Sequence, residues 1–330
     1  MWLMGTIFDG APMSHRPEGR RPRVLVALGK DTADRIAAAV PEVDVVAVPD
    51  GDQPLPPDVT GDVLFALPWE TPRLHELLDR GVGWLHAAST GVDALPLDQL
   101  GDRLVSCSRG ATAVPIAEFV LAVMLAFEKQ LPDTWVHEPP AYWGLAELGG
   151  LEGRELGLIG LGTIGTEVAR RATAFGMRVR AVRRTNAPTP VPGVEMVGAR
   201  ADLLPTADHL VIAAPATAAT RYLIDAEALA QVKPGVHLVN VARGSLVDQD
   251  ALLAALDDGR VAGASLDVAE PEPLPEGHVL YRHPKVRLSP HVSWASPGVL
   301  ARIVDLFIAD LRHWLAGEPL AGEVDLEAGY

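Results

Sequence analysis

Three segments of the chain carry residues able to do proton and anion chemistry. Arg243 stands in Val239-Asn240-Val241-Ala242-Arg243-Gly244-Ser245-Leu246-Val247-Asp248. A choice of carboxylates stands in Leu266-Asp267-Val268-Ala269-Glu270-Pro271-Glu272-Pro273-Leu274, and His291 closes Leu288-Ser289-Pro290-His291. Each segment begins in an apolar run that reads as a buried strand, so these residues fall at strand C-terminal ends, where open α/β sheets bind ligands. Together they form a usable set. The guanidinium holds a substrate carboxylate and polarises the neighbouring carbonyl. The imidazole gives or takes the proton of a hydroxyl, and the carboxylate orients the imidazole and raises its pKa.

A fourth segment supplies a partner for that chemistry. Leu156–Ile159 reads as a buried strand and runs straight into Gly160-x-Gly162-x-x-Gly165. Ile164, Val168, Ala172 and Phe175 follow at helical spacing, and Gly176 sits where the helix ends. In this context the first glycine permits the tight turn, the second lets a pyrophosphate approach the backbone, and the third lets helix and strand pack closely. Free N–H groups and the partial positive charge of the helix N-terminus favour that anion. Gly160, Gly162, Thr163, Ile164 and Gly165 are the expected dinucleotide contacts.

These residues need a scaffold. Apolar segments at Arg23–Leu28, Val43–Val48, Gly61–Leu67, Trp84–Ala87 and Leu104–Cys107 read as five strands, with helices over 32–40 and 72–80 between them. This first α/β unit has no phosphate loop, so it shapes a substrate site rather than a cofactor site. A long apolar helix spans Ala113–Leu131. A second series of six strands follows: Leu156–Ile159, Arg178–Val182, His209–Ala214, Val236–Val241, Ala264–Val268 and Val286–Leu288. Asp225 and Asp248 look like helix N-caps. The last helix, Pro297–Leu315, places Leu300, Ile303, Val304, Phe307, Leu311 and Trp314 on one stripe. Alternating strands and helices predict parallel sheets covered on both faces, the second of them doubly wound.

Composition narrows the class. At 330 residues the chain suggests two domains, and 48% hydrophobic content is ample for two cores. A net charge of −15 offers no electrostatic support for a nucleic-acid partner. The single Cys107 excludes an internal disulfide and a multi-cysteine metal site, which fits a reducing, cytoplasmic setting. No metal-ligand spacing is evident among the histidines. The apolar run Ile116–Phe127 is too short to span a bilayer and is broken by Glu118, so no membrane partner is expected. Residues 1–22 read as a loose tail without a secretory pattern, and Met13 is an alternative start.

The four motifs, in this order, resemble those of the D-isomer-specific 2-hydroxyacid dehydrogenase family, from about Trp84 to His291 and more weakly beyond. The resemblance implies a Rossmann dinucleotide-binding domain (113–291) inserted into a flavodoxin-like substrate domain (23–112 and 292–330). It also implies a homodimer with the Ala113–Leu131 region near the interface. In the family's acidic motif the catalytic Glu directly precedes the proline; Glu270 and Glu272 both precede one, and the resemblance over Asp267–Pro273 is matched at Glu272, not Glu270. Arg243, Glu272 and His291 are then the catalytic residues. Trp84-Leu85-His86-Ala87-Ala88-Ser89-Thr90-Gly91-Val92-Asp93 resembles the loop whose N–H groups grip the substrate carboxylate, assigned here to Ser89, Thr90 and Gly91. Ala214, Pro215, Thr220, Val241, Ala242 and Asp267 match cofactor contacts, Asp267 toward the nicotinamide carboxamide.

The implied reaction is reduction of a small 2-keto acid, of the glyoxylate or hydroxypyruvate type, to its D-2-hydroxy acid. One departure bears on the cofactor. The NAD pattern places an acidic residue at the end of the second strand, but here that strand ends Val182-Arg183-Arg184-Thr185. Two arginines and a threonine favour a 2′-phosphate, so NADP(H) is expected in preference to NAD(H). Formate dehydrogenases pair the His with Gln where Glu272 stands here, and phosphite dehydrogenases carry Lys where Thr90 stands. A dinucleotide-sensing corepressor is the alternative from another class, disfavoured by the lack of a long interaction tail. Phe65, Trp69, Trp143 and Trp294 are the aromatics considered for lining the substrate pocket.

Overall fold

The computed structural model describes residues 17, 19–49, 51, 54–69, 71, 73–185 and 187–330. The tail and Met13 fall largely outside this set. The chain forms two compact units, one from residues up to Ala111 together with Gly298–Tyr330, the other from Thr112–Pro297. The segment 292–297, expected with the first unit, belongs to the second. Its Val292 and Ser293 N–H groups are bonded to Asp267, which holds the stretch after His291 against the sheet that carries it.

The first unit contains β1 (Arg23–Val26), α1 (Lys30–Ala39), β2 (Asp44–Ala47), β3 (Val63–Ala66), α2 (Leu74–Leu78), β4 (Trp84–Ala87), β5 (Leu104–Cys107) and α7 (Val299–Ala316). Its sheet runs β2-β1-β3-β4-β5, all parallel, which is the flavodoxin-like order. β1, β3 and β4 are almost wholly buried and apolar, as strands covered on both faces must be. The helix expected over 72–80 is the shorter α2, with Pro72 outside the described residues.

On α7, Ile303, Val304, Phe307, Leu311 and Trp314 are buried, but Leu300 is 56% exposed. It lies in the first turn, beside the left-handed Gly298 that starts the helix, and turns away from the sheet. Phe65 is no pocket residue. It stacks on Phe307 with ring centroids 4.3 Å apart, fully inside the core. Cys107 is a buried free thiol at the end of β5.

The second unit contains α3 (Ala113–Glu128), β6 (Glu155–Ile159), α4 (Thr163–Ala174), β7 (Arg178–Val182), β8 (Val194–Met196), β9 (His209–Ile212), α5 (Ala226–Gln231), β10 (Val236–Asn240), α6 (Gln249–Asp257), β11 (Val261–Leu266) and β12 (Val286–Leu288). α3 ends three residues before Leu131, the end expected from sequence. The sheet has seven strands rather than six, in the order β12-β11-β10-β9-β6-β7-β8, all parallel. The order reverses between β6 and β9, which is the switch point of a Rossmann sheet. The added strand, β8, is three residues long and pairs only with β7, at the sheet edge. Asp225 and Asp248 cap their helices through Ala228 N at 2.8 Å and Ala251 N at 3.1 Å. Phe175, placed on the apolar stripe of α4 by its spacing, is 46% exposed because it is the C-cap residue, beyond the last buried turn. Among the described residues, no helix is long and apolar enough to cross a membrane, and no group of three or more His, Cys, Asp or Glu could hold a metal ion.

Each unit buries histidines in a polar chain. In the first, Ser106 Oγ accepts from Trp84 Nε1 (2.9 Å) and lies 2.7 Å from His86 Nδ1, while His86 Nε2 lies 3.0 Å from Ser108 Oγ. In the second, Glu128 Oε1, His209, His237 and Ser265 Oγ are joined by contacts of 3.0, 3.1 and 3.0 Å, with Phe127 stacked on His237. Burial lowers all three imidazoles, His86 to about 3 and His237 well below its ordinary value, so the folded state holds them neutral.

The unfolded chain binds protons at these sites near pH 6.5, so stability is full above that value and is lost as pH falls below it. For His86 the loss by pH 5 is about 2 kcal/mol. The raised carboxyl of Asp310 acts in the opposite direction. The isolating measurement is urea unfolding at pH 7.5 and 5.0 for the parent and for His237→Gln, which keeps a donor and an acceptor. The variant is expected to lose less stability over that interval. An equal loss in both proteins would show that His237 titrates normally in the fold.

Candidate active site

The glycine turn joins β6 to α4 at the switch point. Gly160 has φ +100°, and a Cβ there would lie 2.6 Å from the Ala213 carbonyl. A Cβ on Gly165 would lie 2.1 Å from the Gly160 carbonyl oxygen. These two glycines are required by the packing of turn, helix and β9. Gly162 differs: its φ of −86° suits any residue, and a Cβ there meets nothing within 4 Å. As N-cap it has no side chain to satisfy the first N–H groups of α4, those of Thr163, Ile164 and Gly165. Open space above unshielded helix amides fits the pyrophosphate of a dinucleotide.

The other expected cofactor residues lie around the same sheet edge. Ala214 and Pro215 follow β9, and Thr220 Oγ1 donates to Pro215 O (2.8 Å) and accepts from Thr217 N (2.8 Å), closing that loop. Val241 and Ala242 follow β10 and are buried, with Ala242 N donating to Asn240 Oδ1 at 3.1 Å. After β7, Arg183 is half-buried, and its Nη2 donates to Ala187 O and to Pro188 O (2.9 Å), so this guanidinium ties its own loop. Arg184 and Thr185 are exposed.

Arg243, Glu272 and His291 are brought together at the ends of β10, β11 and β12. Asn240 Nδ2 donates to Arg243 O at 2.8 Å, and Arg243 Nη1 donates to Ala242 O at 2.7 Å. A Cβ on Gly244 would lie 2.0 Å from the Ala269 carbonyl carbon, so only glycine lets the Arg243 turn pack on the loop that carries Glu272. Glu272 Oε1 accepts from Ala269 N (2.9 Å), and Oε2 accepts from His291 Nδ1 (2.8 Å). Burial pushes the Glu272 carboxyl up. The His291 hydrogen bond, the Ala269 N–H and the charge of Arg243 outweigh it, and the group is held below the usual glutamate range. Both partners are more than a third exposed, as a pair that exchanges protons with a ligand must be.

The buried Asp267 organises this loop. Its carboxylate accepts from Ser289 Oγ (2.7 Å), Val292 N (2.9 Å) and Ser293 N (2.9 Å). Its main-chain oxygen accepts from His291 N at 2.8 Å. Held on both sides, His291 adopts φ +54°, a left-handed conformation rare outside glycine. Trp294 Nε1 donates to His291 O at 2.9 Å, so this tryptophan braces the turn while remaining 44% exposed. Trp69 and Trp143 are also exposed.

In the first unit, the loop after β4 closes on itself. Ser89 Oγ donates to Gly91 O (2.7 Å), and Ser108 N donates to Ser89 O (2.9 Å). The roles of Gly244, Ser289 and the histidine's backbone conformation escape sequence reading, although Gly directly after the arginine was a visible sign of a close approach.

Residues 121–293 match the family model for the NAD-binding domain of D-isomer-specific 2-hydroxyacid dehydrogenases. A glyoxylate/hydroxypyruvate reductase A from Serratia proteamaculans is 32% identical over 280 residues, which is 81% of this chain and 87% of that protein. Two solved structures superpose over 94% of this chain and the whole of theirs. One is a D-isomer-specific 2-hydroxyacid dehydrogenase from Xanthobacter autotrophicus in complex with NADPH and MES (TM-score 0.82, 29% identity). The other is an NADPH-dependent glyoxylate/hydroxypyruvate reductase from Sinorhizobium meliloti in complex with NADP and sulfate (TM-score 0.77, 25% identity). The chain belongs to the D-isomer-specific 2-hydroxyacid dehydrogenase family. It is an NAD(P)-dependent oxidoreductase with a Rossmann cofactor domain.

The glycines of one motif separate packing from ligand contact. Gly165→Ala is expected to destabilise the fold by about 1–3 kcal/mol through overpacking. Gly162→Ala is expected to keep the parent's thermal midpoint and to weaken dinucleotide binding at least tenfold, read by fluorescence titration. Unchanged dinucleotide affinity in Gly162→Ala would place the pyrophosphate elsewhere.

Proposed function

We propose that the protein reduces a small 2-keto acid of the glyoxylate or hydroxypyruvate type to the D-2-hydroxy acid, with NADPH as the preferred cofactor. The observation that carries this reading is the 2.8 Å bond between Glu272 and His291 Nδ1 beside the Arg243 charge. The names of the relatives support the substrate class.

Bound at the glycine turn, the dinucleotide supplies the hydride for reduction. The chain's own residues do the rest. Gly160, Gly162, Thr163, Ile164 and Gly165 hold the pyrophosphate, with Ala214, Pro215 and Thr220 beside it. Val241, Ala242 and Asp267 are assigned to the nicotinamide end. Arg243 anchors the substrate and polarises its carbonyl. The main-chain N–H groups of Ser89, Thr90 and Gly91 are assigned to the substrate carboxylate. His291, its Nδ1–H fixed on ionised Glu272, delivers a proton from Nε2 to the oxygen that gains charge. Glu272 offsets the positive charge of the imidazolium and stays ionised until pH falls through its own lowered pKa.

Cofactor choice rests on the end of β7, where Arg183, Arg184 and Thr185 stand in place of the acidic residue of the NAD pattern. Arg184 and Thr185 are exposed there and able to meet a 2′-phosphate, while Arg183 holds the loop. The same reading makes the enzyme a cytoplasmic homodimer. A reduced, buried Cys107 suits that compartment, and the exposed apolar run after α3, with Trp135, Val136, Tyr142, Trp143 and Leu145, offers a surface for a second copy.

NADPH is expected to exceed NADH at least tenfold in kcat/KM, since a charge-assisted hydrogen bond is worth roughly 1.5–3 kcal/mol. Arg184→Ala should remove most of that ratio. Equal efficiency with both cofactors in the parent would overturn the preference. Arg243→Ala should abolish reduction while dinucleotide binding persists, and a variant with near-parental kcat/KM would free Arg243 of its role.

Reduction of glyoxylate should fall as pH rises and the proton on His291 is lost. In Glu272→Gln that falling limb is expected at lower pH, because a neutral amide no longer offsets the imidazolium charge. His291→Ala should lose roughly 10²–10⁴-fold. A Glu272→Gln profile that overlays the parent would remove Glu272 from the proton transfer.

A further inference from the structure

Gln249 is the first residue of α6, and its side chain does not serve the helix. Asp248 supplies the cap through Ala251 N. The Gln249 amide instead reaches across to the loop after β11. Nε2 donates to Glu270 O at 2.6 Å, and Oε1 accepts from Glu270 N at 3.0 Å. A side-chain amide paired in both directions with one residue's main chain acts as a short piece of β-ladder. It fixes the plane of two successive peptides with no freedom to slide.

The clamped residue is adjacent to the catalytic loop's own hydrogen bond. Ala269, immediately before Glu270, presents the N–H that holds Glu272 Oε1 at 2.9 Å. From the other side, the Gly244 turn packs against the Ala269 carbonyl. The Glu270 side chain is drawn outward, where it accepts from Arg221 Nη1 at 2.8 Å. The loop 269–272 is thus gripped at its main chain by Gln249 and Gly244, and its one inward-facing carboxylate is Glu272. A shift of the Glu270 peptide would turn the Ala269 N–H away and lengthen the bond from Glu272 to His291.

We propose that Gln249 is a positioning residue for the Glu272–His291 pair, acting through the main chain of Glu270. This rests on the assignment of Glu272 and His291 to proton transfer made above. Gln249 touches neither of them. Its amide is the only group type of this length that both donates to a carbonyl and accepts from an N–H on the same residue.

The test uses Gln249→Glu in the full-length enzyme, with glyoxylate and NADPH as probes. The substitution is isosteric, keeps an acceptor for Glu270 N, and puts an acidic group in the first turn of a helix, where it is tolerated. It removes the donor to Glu270 O and sets two oxygens against each other. The expected result is a roughly tenfold fall in kcat, with the falling limb of the pH profile displaced in the same direction as in Glu272→Gln. NADPH affinity and thermal midpoint should stay near the parent's. In the double variant Gln249→Glu/Glu272→Gln, the limb should lie where Glu272→Gln alone puts it. Gln249→Met, which loses both bonds without adding charge, should displace the limb likewise.

A Gln249→Glu profile that overlays the parent, while Glu272→Gln is displaced, would overturn the positioning role and leave the Glu272 assignment intact. Displacements that add in the double variant would overturn it too, since the two residues would then act independently. If Glu272→Gln itself overlays the parent, the functional reading fails, and the role of Gln249 fails with it.

Discussion

The hydrogen bonding of the buried Asp267 carboxylate is the interaction on which the candidate site at the end of the second sheet depends. A charge placed inside a protein survives only when its lone pairs are met by donors. Here the donors are the Ser289 hydroxyl and the N–H groups of Val292 and Ser293. All three belong to the segment that carries His291. The requirement to meet the oxygens of one buried carboxyl group with donors therefore folds that segment over the ends of β11 and β12. The unusual backbone of His291 goes with this, because Ser289 before it, Val292 after it and its own N–H are all bonded to Asp267. Strain at this residue is stored against several hydrogen bonds, which hold its side chain where a relaxed chain would not place it.

Much of this was legible in the chain. Trp84–Ala87, Leu104–Cys107, Arg178–Val182 and Val286–Leu288 are strands at the limits their apolar runs indicate. Trp84–Ala87 and Leu104–Cys107 are almost wholly buried, as strands covered on both faces must be, whereas Arg178–Val182 and Val286–Leu288 are only partly buried and carry arginines. The strand Val194–Met196 gave no such signal. It is three residues long, follows Pro192 and Gly193, and exists only because β7 offers an unpaired edge. Leu300 and Phe175 fit their helical stripes by spacing alone, yet each lies in a terminal turn, where the helix has already left the core.

The site divides in the same way. Residue type and order were enough to select Arg243, a carboxylate in the 267–272 stretch and His291, and the resemblance to the family's acidic motif selected Glu272. What brings them together is contact with the main chain of the 269–270 loop from residues remote in sequence. Gly244 against Ala269, and Gln249 against Glu270, leave no periodic trace, because each depends on how two strand ends meet rather than on either strand. The arginine pair after β7 shows the converse. Arg183 and Arg184 are equivalent as letters, but local carbonyls of Ala187 and Pro188 hold the half-buried first, while the second is exposed.

Histidine shows most directly how environment assigns chemistry. His86, His209 and His237 have hydroxyl, imidazole or carboxylate neighbours, yet burial holds each of them neutral. In the second unit even Glu128, 3.0 Å from His209, does not offset the cost of desolvating the charged ring. Such groups hold strands together and cannot exchange protons with a ligand at working pH. His291 has the same kind of partner at 2.8 Å but remains 39% exposed in its side chain. Water still reaches the ring, and Glu272 holds Nδ1, on the side of the ring away from Nε2. A buried carboxylate–imidazole pair and an exposed one thus stand within one domain, and they differ in access to solvent rather than in hydrogen-bond length.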